Sequence, residues 1–210
     1  MKKLLYTLLF VSATAFADCP ELYPNSKPIR VENTVELCNS FYVSVYDEVN
    51  RKVVVVSERL KKGASVGAAD SSGSFRVDPR VKDPVRTSEY TNSGYDRGHM
   101  AAADNGIDVN SVRETYFMTN VVPQYLSLNR GSWRVLESEI RATFLISDAD
   151  VFVVTIPIYN DDKKVGTIPV PTAFWKIVII NGVEKYFYAD NTINAVKEYS
   201  KIGWAFLIRK

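Results

Sequence analysis

Histidine and cysteine are scarce in this sequence, and there is almost no excess of charge. The 210 residues contain one histidine, His99, and two cysteines, Cys19 and Cys38, with a formal net charge of +2. One histidine and two cysteines exclude the common zinc sites that are built from several imidazoles or thiolates. Any histidine-based acid–base chemistry near neutral pH must therefore use His99.

The N-terminus has the pattern of a secretory signal peptide. Two lysines precede an apolar stretch, Leu4–Val11, which small residues follow up to Ala17. A membrane anchor is the alternative interpretation, but the stretch is well short of the roughly 20 residues that span a bilayer. We therefore expect a bacterial Sec signal at residues 1–17 and a single domain at residues 18–210, secreted or periplasmic and without membrane attachment when mature.

Removal of this segment leaves a chain with balanced charge. The full sequence has 26 Lys and Arg against 24 Asp and Glu, and the segment contains two of the lysines and no acidic residue. The mature chain therefore carries 24 of each, so bulk basicity gives no support for nucleic-acid binding. Any affinity for phosphate has to come from local clusters of basic side chains.

The two cysteines belong to a chain that the signal directs to an oxidising compartment. We therefore expect a disulfide between Cys19 and Cys38. Two free buried thiols are the alternative. The disulfide would close a loop of about 20 residues and stabilise the fold by about 3 kcal/mol.

The hydrophobic pattern predicts an α+β protein with a mostly antiparallel central sheet and flanking helices. Residues Arg130–Phe144 have helical periodicity, and Glu137 precedes Arg141 by four residues, the favourable order for a helical ion pair. A loop is predicted between Lys61 and Thr91, where Gly, Ser, Pro and charge are frequent. Further predictions are strands at 41–47, 52–57, 151–155, 174–180 and 184–188, a hairpin turn at Asn181-Gly182 and a closing helix at 192–200.

Three separated blocks contain the residues that are suited to chemistry. They are Asp-Arg-Gly-His at 96–99, Asn-x-x-Pro-Gln at 120–124, and Leu-Asn-x-Gly-x-Trp-x-x-Leu-Glu at 128–137. In the first block, a glycine between a fixed cation and a tunable base permits close approach of the backbone. Without further context, His99 could equally have a purely structural role instead of a catalytic one. Asn129 could likewise serve as the N-cap of the following helix.

The order and spacing of these blocks resemble the DNA/RNA non-specific endonuclease family, of the Serratia-nuclease and endonuclease G type. The resemblance is strongest over residues 95–141 and implies a ββα-metal motif. It implies an enzyme that hydrolyses phosphodiester bonds of DNA and RNA with little sequence preference and leaves 5′-phosphate ends. The implied cofactor is Mg²⁺, and whether Mn²⁺ can replace it is left open by the sequence. The implied partners are DNA and RNA, contacted through the phosphate backbone.

The resemblance also assigns catalytic roles to three residues. His99 would be the general base that activates a water, and Arg97 would stabilise the charged transition state. Glu137 would hold a metal-bound water. These roles meet the needs of phosphodiester hydrolysis, which are an aligned nucleophile and charge neutralisation at the phosphoryl oxygens.

The resemblance assigns roles in metal binding, phosphate binding and support of the site to four further residues. Asn129 would be the one direct protein ligand of the metal, which is sufficient because Mg²⁺ keeps most of its waters. Arg141 would contact phosphate. Asp96 and Asn120 would support the site, the latter by hydrogen bonds.

One departure from the family pattern concerns phosphate binding. Gly73 stands where the family has an arginine just before the block that contains Phe75. Either the substrate-positioning cation is absent from this chain, or Arg76 or Arg80 supplies it.

Two rival functions stand beside the nuclease interpretation. One is a catalytically silent nucleic-acid-binding module on the same fold, against which the intact set of catalytic residues argues. The other is a metal-dependent phosphodiesterase for a small substrate, and no nucleotide-binding glycine-rich loop supports it.

Overall fold

An antiparallel sheet organises the part of the chain that the computed structural model describes, residues 19–60, 73–145, 149–192 and 194–200. The strands are β1 (Val35–Cys38), β2 (Tyr42–Asp47), β3 (Lys52–Leu60), β4 (Tyr95–His99), β5 (Val121–Tyr125), β6 (Val151–Ile158), β7 (Lys164–Val165), β8 (Ile168–Pro169), β9 (Ala173–Ile180), β10 (Val183–Asp190) and β11 (Lys197–Tyr199). Seven of them form the central sheet in the order β1-β2-β3-β6-β9-β10-β11, and every neighbouring pair is antiparallel. The predicted α+β class is confirmed.

The strands and the turn expected from hydrophobic patterning are present as β2, β3, β6, β9 and β10. β3 is an interior strand, as its continuous run of valines indicates. Asn181 and Gly182 join β9 to β10 with φ angles of 48° and 81°. Both angles lie in the left-handed region that a type I′ hairpin turn requires, which asparagine and glycine adopt most readily.

The predicted closing helix at 192–200 is wrong, because Lys197–Tyr199 forms β11 at the edge of the sheet. The ring of Tyr199 lies 5.3 Å from that of Trp175 and 6.1 Å from that of Tyr188, between centroids. Cross-strand aromatic pairs of this kind stabilise strand pairing. This packing, together with hydrogen bonding to β10, outweighs the local helical pattern.

In the described part of the chain, three α-helical segments flank the sheet: α1 (Val109–Thr115), α2 (Leu126–Leu128) and α3 (Arg134–Leu145). A π-helical turn, Asn129–Trp133, joins the last two, and Gly131 departs from helical geometry with φ −108° and ψ −117°. α3 therefore begins four residues later than predicted. It packs on the sheet through Leu136, Ile140 and Phe144, which contact Val153 and Val178.

The N-terminal segment is fixed to the sheet. Cys19 and Cys38 form the predicted disulfide, with 6.2 Å between their Cα atoms, and the Ser57 hydroxyl donates to the Leu22 carbonyl at 2.7 Å. The predicted signal peptide lies outside the described residues, as does 61–72 of the predicted loop. No helix among the described residues is long and apolar enough to cross a membrane.

Candidate active site

The two-stranded sheet β4–β5 carries the first two sequence blocks. Its register pairs Asp96 with Gln124, Arg97 with Pro123 and His99 with Val121. β5 leads directly into α2, the π-helical turn and α3, so two antiparallel strands and a helix meet as the ββα motif requires. Because side chains alternate along a strand, Arg97 and His99 share one face of this sheet.

Gly98 allows β4 and β5 to pack closely around a buried glutamine. Gln124 has no exposed surface, and a Cβ added at Gly98 would lie 2.5 Å from Gln124 Cβ and closer still to its Oε1. Such distances are far below van der Waals contact. Glycine is therefore required between Arg97 and His99, because a side chain there would push the two strands apart.

Asn120 anchors the backbone that follows His99. Its Nδ2 donates to the carbonyls of Ala101 at 3.0 Å and Thr115 at 2.9 Å, and its Oδ1 accepts from the Ala101 amide at 2.8 Å. The Asn120 carbonyl also accepts from the Met100 amide. The side chain is fully buried, so these bonds hold the end of β4 in one position.

His99 lies in an aromatic environment. Its ring centroid is 5.1 Å from that of Phe75 and 4.9 Å from that of Tyr116, the latter edge-on. Burial lowers the pKa of His99 to about 4, although the nearby charge of Asp104 acts in the opposite direction. Nε2 is enclosed without a hydrogen-bond partner, whereas Nδ1 is not enclosed in this way. The imidazole is therefore neutral at physiological pH, with Nδ1 open to a water.

The guanidinium of Arg97 is held beside His99 by two rings and a carbonyl. It lies 5.5 Å from the Phe75 ring and 5.6 Å from the Tyr90 ring, and its Nη2 donates to the Thr87 carbonyl at 2.9 Å. Its Nε is buried without a partner. Phe75 thus contacts both the cation and the imidazole, which fixes their relative positions on this face.

Asp96 orients the side chain of Asn129. Its Oδ2 accepts from Asn129 Nδ2 at 3.0 Å and from Arg130 Nε at 2.7 Å, and its Oδ1 accepts from Arg130 Nη2 at 2.6 Å. Burial favours the protonated acid, but the hydrogen bonds from Arg130 and Asn129 hold the pKa of Asp96 below its usual value. Asp96 is thus an anion that ties β4 to the start of the helical segment.

Asn129 is not an N-cap. Its backbone is helical, with φ −56° and ψ −46°, and its side chain turns to Asp96 instead of capping a helix. Because Nδ2 is bound, Oδ1 is the remaining polar atom, and it accepts no hydrogen bond from the residues that the structure describes. An oriented amide oxygen is a ligand that Mg²⁺ accepts.

The polar groups around Asn129 Oδ1 fit a cation that keeps most of its own waters. Within the described ranges, no three His, Cys, Asp or Glu side chains are grouped so that they could hold a metal. A cation that needs three or four protein ligands, as zinc does, would not find them here. One amide oxygen with a nearby carboxylate matches the requirements of Mg²⁺.

Glu137 and Arg141 do not form the helical ion pair that their spacing predicts. Glu137 Oε1 instead accepts from Lys176 Nζ at 3.1 Å. Arg141 pairs with Asp104 at 3.2 Å, and its Nη1 lies 3.5 Å from Asn105 Oδ1. Tertiary partners provided by β9 and by the segment after β4 replace the partner within the helix.

The structure brings the predicted residues together in two groups. Asp96 joins Asn129 directly, while Arg141 reaches the surroundings of His99 through Asp104. No hydrogen bond among the described residues joins His99 to Asn129. Their common support is β4, which carries His99 and, three residues earlier, the Asp96 that orients Asn129.

Of the two arginines expected to replace the cation missing at Gly73, Arg80 is fully engaged. It forms an ion pair with buried Asp78 at 2.6 Å and donates to the Cys38 carbonyl at 2.8 Å. Arg76 lies over the Phe117 ring at 4.3 Å and donates no side-chain hydrogen bond to any described residue. Arg76 is therefore the better candidate of the two.

Sequence reasoning missed the buried charges next to Glu137. Lys176 is 1% exposed and Glu58 has no exposed surface, and Glu58 Oε2 accepts from Asn105 Nδ2 at 2.8 Å. Burial raises the pKa of Glu58 to about 7, partly offset by the charge of Lys176. The signal was present, since Lys176 is the one charged residue within the apolar run 174–180.

Comparison with known proteins gives concordant results. The family profile described as DNA/RNA non-specific endonuclease matches residues 20–202. A mitochondrial nuclease EXOG of Danio rerio is 32% identical over 155 residues, 66% of this chain and 45% of that protein. A nuclease of Serratia marcescens is 27% identical over 199 residues, 86% of this chain and 73% of that protein.

Solved structures agree with the sequence matches. EndoG in its complex with EndoGI superposes with a TM-score of 0.68 and 28% identity, covering 76% of this chain and 75% of that one. The chain spans about half the length of the mitochondrial EXOG relatives that it matches.

Proposed function

Because this chain belongs to the DNA/RNA non-specific endonuclease family, we propose that it hydrolyses phosphodiester bonds of DNA and RNA with little sequence preference. The observation that carries the proposal is the arrangement on β4. A neutral imidazole, a fixed guanidinium and the carboxylate that orients Asn129 lie within four consecutive residues, 96–99.

His99 acts as the general base in this proposal. A base must be unprotonated at working pH and within reach of a water. Burial keeps the ring neutral, and Nδ1 is the nitrogen that is not enclosed. The rings of Phe75 and Tyr116 set the direction of the imidazole, so Nδ1 takes the proton of the attacking water without prior reorientation.

Arg97 stabilises negative charge on the phosphoryl oxygens. Its guanidinium is fixed before substrate arrives, by Thr87 and by the rings of Phe75 and Tyr90. A preorganised cation stabilises a transition state more effectively than a mobile one, because no reorganisation is needed during reaction.

Asn129 and Glu137 would hold the hydrated metal. Asn129 supplies its Oδ1 as the direct ligand, while Glu137, whose Oε1 is bound to Lys176, retains Oε2 for a metal-bound water. A bound Mg²⁺ would supply Lewis-acid chemistry at the phosphate and at the leaving 3′ oxygen, and departure of that oxygen gives 5′-phosphate ends. Mn²⁺, which shares the preference for oxygen ligands, is expected to substitute.

Recognition of the substrate rests on phosphate and not on the bases. Arg141 and Arg76 are the basic side chains that would contact the backbone, and phosphate contacts carry no direct sequence information. Little sequence preference follows from this type of contact.

The secreted or periplasmic location and the division into a signal at 1–17 and one nuclease domain at 18–210 are proposed from the N-terminal sequence pattern alone.

The test is cleavage of circular plasmid DNA and of RNA by the purified protein with Mg²⁺, with chelator, and after Asn129→Ala. We expect both nucleic acids to be degraded, chelator to stop the reaction, and Asn129→Ala to lower activity at least 100-fold while raising the Mg²⁺ concentration required. Asn110→Ala, an exposed asparagine in α1, is the matched control and should leave activity unchanged. Full activity of Asn129→Ala, or cleavage that chelator does not affect, would contradict the proposal.

A further inference from the structure

A buried lysine lies beneath the helix that carries Glu137. Lys176 is in the middle of β9, one of the interior strands of the sheet, and is 1% exposed. Its neighbours on the same face of β9 are Phe174 and Val178, both buried and apolar. Removing an ammonium group from water costs several kcal/mol unless partners compensate for the loss, so the presence of a lysine here requires an explanation.

The contacts of Lys176 are directed towards the candidate active site. Its Nζ donates to Glu137 Oε1 at 3.1 Å and lies 4.8 Å from the centre of the Trp133 ring. Trp133 itself is buried against Phe174, with ring centroids 5.4 Å apart. The ammonium is thus fixed between the sheet and the first turn of α3, where it fixes one of the two carboxylate oxygens of Glu137.

A second buried carboxyl group lies near Lys176. Glu58 lies on β3, on the same face of the sheet, and has no exposed surface. It interacts electrostatically with both Lys176 and Glu137 but forms no direct ion pair with the lysine. Glu58 is held by Asn105 at 2.8 Å, so it does not displace Glu137 from the ammonium.

Stability alone does not explain this arrangement. A buried ion pair is often no more stable than well-packed apolar residues of similar volume, and the neighbouring positions of β9 are apolar. A carboxylate that must present one oxygen to a metal-bound water, however, needs its other oxygen fixed. Groups that orient metal ligands and their waters commonly affect metal affinity or activity 10- to 100-fold.

We propose that Lys176 is a positioning residue, which fixes Glu137 Oε1 so that Oε2 faces the hydrated metal held by Asn129. This inference rests on the proposed nuclease function. It assigns Lys176 no contact with substrate and no proton transfer. Its effect on catalysis passes through Glu137 alone.

The experiment is a double-mutant cycle with Lys176→Met, Glu137→Gln and the double variant. For each protein we would measure kcat and KM on DNA, and the Mn²⁺ dissociation constant by calorimetry without nucleic acid. Lys185→Met, an exposed lysine on neighbouring β10, is the matched control. Lys176→Gln is a second uncharged variant in case methionine disturbs folding, and thermal unfolding gives the folded fraction of each protein.

Lys176→Met is expected to lower kcat about 10- to 100-fold, to leave KM for DNA within twofold, and to weaken Mn²⁺ binding. In the Glu137→Gln background the same change should have no further effect on kcat or on Mn²⁺ binding, because coupled residues are not additive. Lys185→Met should match the unmodified protein.

The inference would be overturned if Lys176→Met lowered kcat by the same factor in the unmodified and in the Glu137→Gln backgrounds. It would also be overturned if Lys176→Met reduced the folded fraction but left kcat per folded molecule unchanged. Failure of the proposed function has a different signature, since the unmodified protein would then not cleave or Glu137→Gln would have no effect. In that case the Mn²⁺ titration still tests whether Lys176 acts through Glu137. Independent effects of Lys176→Met and Glu137→Gln on Mn²⁺ binding would refute that coupling.

Discussion

Adding one methyl group at Gly98 should disable the site without touching a catalytic side chain. In Gly98→Ala the new Cβ would lie 2.5 Å from Gln124 Cβ, whereas contact between two carbons requires about 3.5 Å. β4 and β5 must therefore separate locally by about 1 Å. Overpacking of this kind costs about 1–3 kcal/mol, and a displacement of about 1 Å at a catalytic group lowers turnover about 100-fold.

The assay compares kcat on plasmid DNA with the free energy of unfolding from denaturant titration. Gly98→Ala should lose about 1–3 kcal/mol of stability and about 100-fold in kcat per folded molecule. Combining it with Gln124→Gly, which removes the opposing Cβ, should restore part of kcat. Gln124→Ala keeps that Cβ and should restore less.

Gly166→Ala is the matched control, because nothing lies within 4 Å of its added Cβ. Its φ of 57° makes alanine cost about 1 kcal/mol in backbone strain, but kcat should not change. Wild-type kcat and stability in Gly98→Ala would refute the steric account of the motif.

Two further predictions concern pH and the disulfide. The pKa of folded His99 is about 4, below the 6.5 of an exposed histidine. We therefore expect kcat/KM to stay constant from pH 8 to about 5 and to fall only as the pH approaches 4. A fall in kcat/KM centred near pH 6.5 would contradict this. Protonation of His99 also favours the unfolded chain. The contribution of neutral His99 to the free energy of unfolding is therefore fully present above pH 6.5, and about 3 kcal/mol of it is lost as the pH falls towards 4. His99→Gln should lack this part of the pH dependence in denaturant titrations. Replacing Cys19 and Cys38 by serine should cost about 3 kcal/mol with kcat per folded molecule unchanged, and an unchanged unfolding midpoint would argue against a stabilising disulfide.

The elements that the sequence predicts well are those with strong local signals. Alternating apolar residues identify β2, continuous valines identify β3 as interior, and Asn181-Gly182 identifies the β9–β10 turn. Residues 192–200 are different, because Tyr199 is held in a strand by Trp175 and Tyr188, which precede it in the chain and are brought near it only by folding.

The same distinction applies to the site. The residues of blocks 96–99, 120–124 and 128–137 can be selected from their order and spacing. Their partners cannot, because Glu137 pairs with Lys176 and not with Arg141. Those contacts depend on how α3 lies across β9, which spacing within one helix does not reveal.

The pKa of His99 is also a property of the fold. The lowered value comes from burial against Phe75 and Tyr116. Phe75 lies 24 positions earlier in the chain and Tyr116 lies 17 later, so no local pattern predicts the enclosure. The reference pKa of about 6.5 is therefore a poor guide to the pH dependence of this site.

His99 is the general base in the proposed mechanism, and the cleavage rate of His99→Ala on plasmid DNA at neutral pH with Mg²⁺ tests this role. Thermal unfolding and Mn²⁺ calorimetry on the same preparation establish that the variant is folded and binds metal. The proposed mechanism predicts at least a 100-fold loss of kcat, in the range that general-base catalysis contributes, with metal binding retained. Cleavage by folded His99→Ala at the rate of the unmodified protein would contradict it.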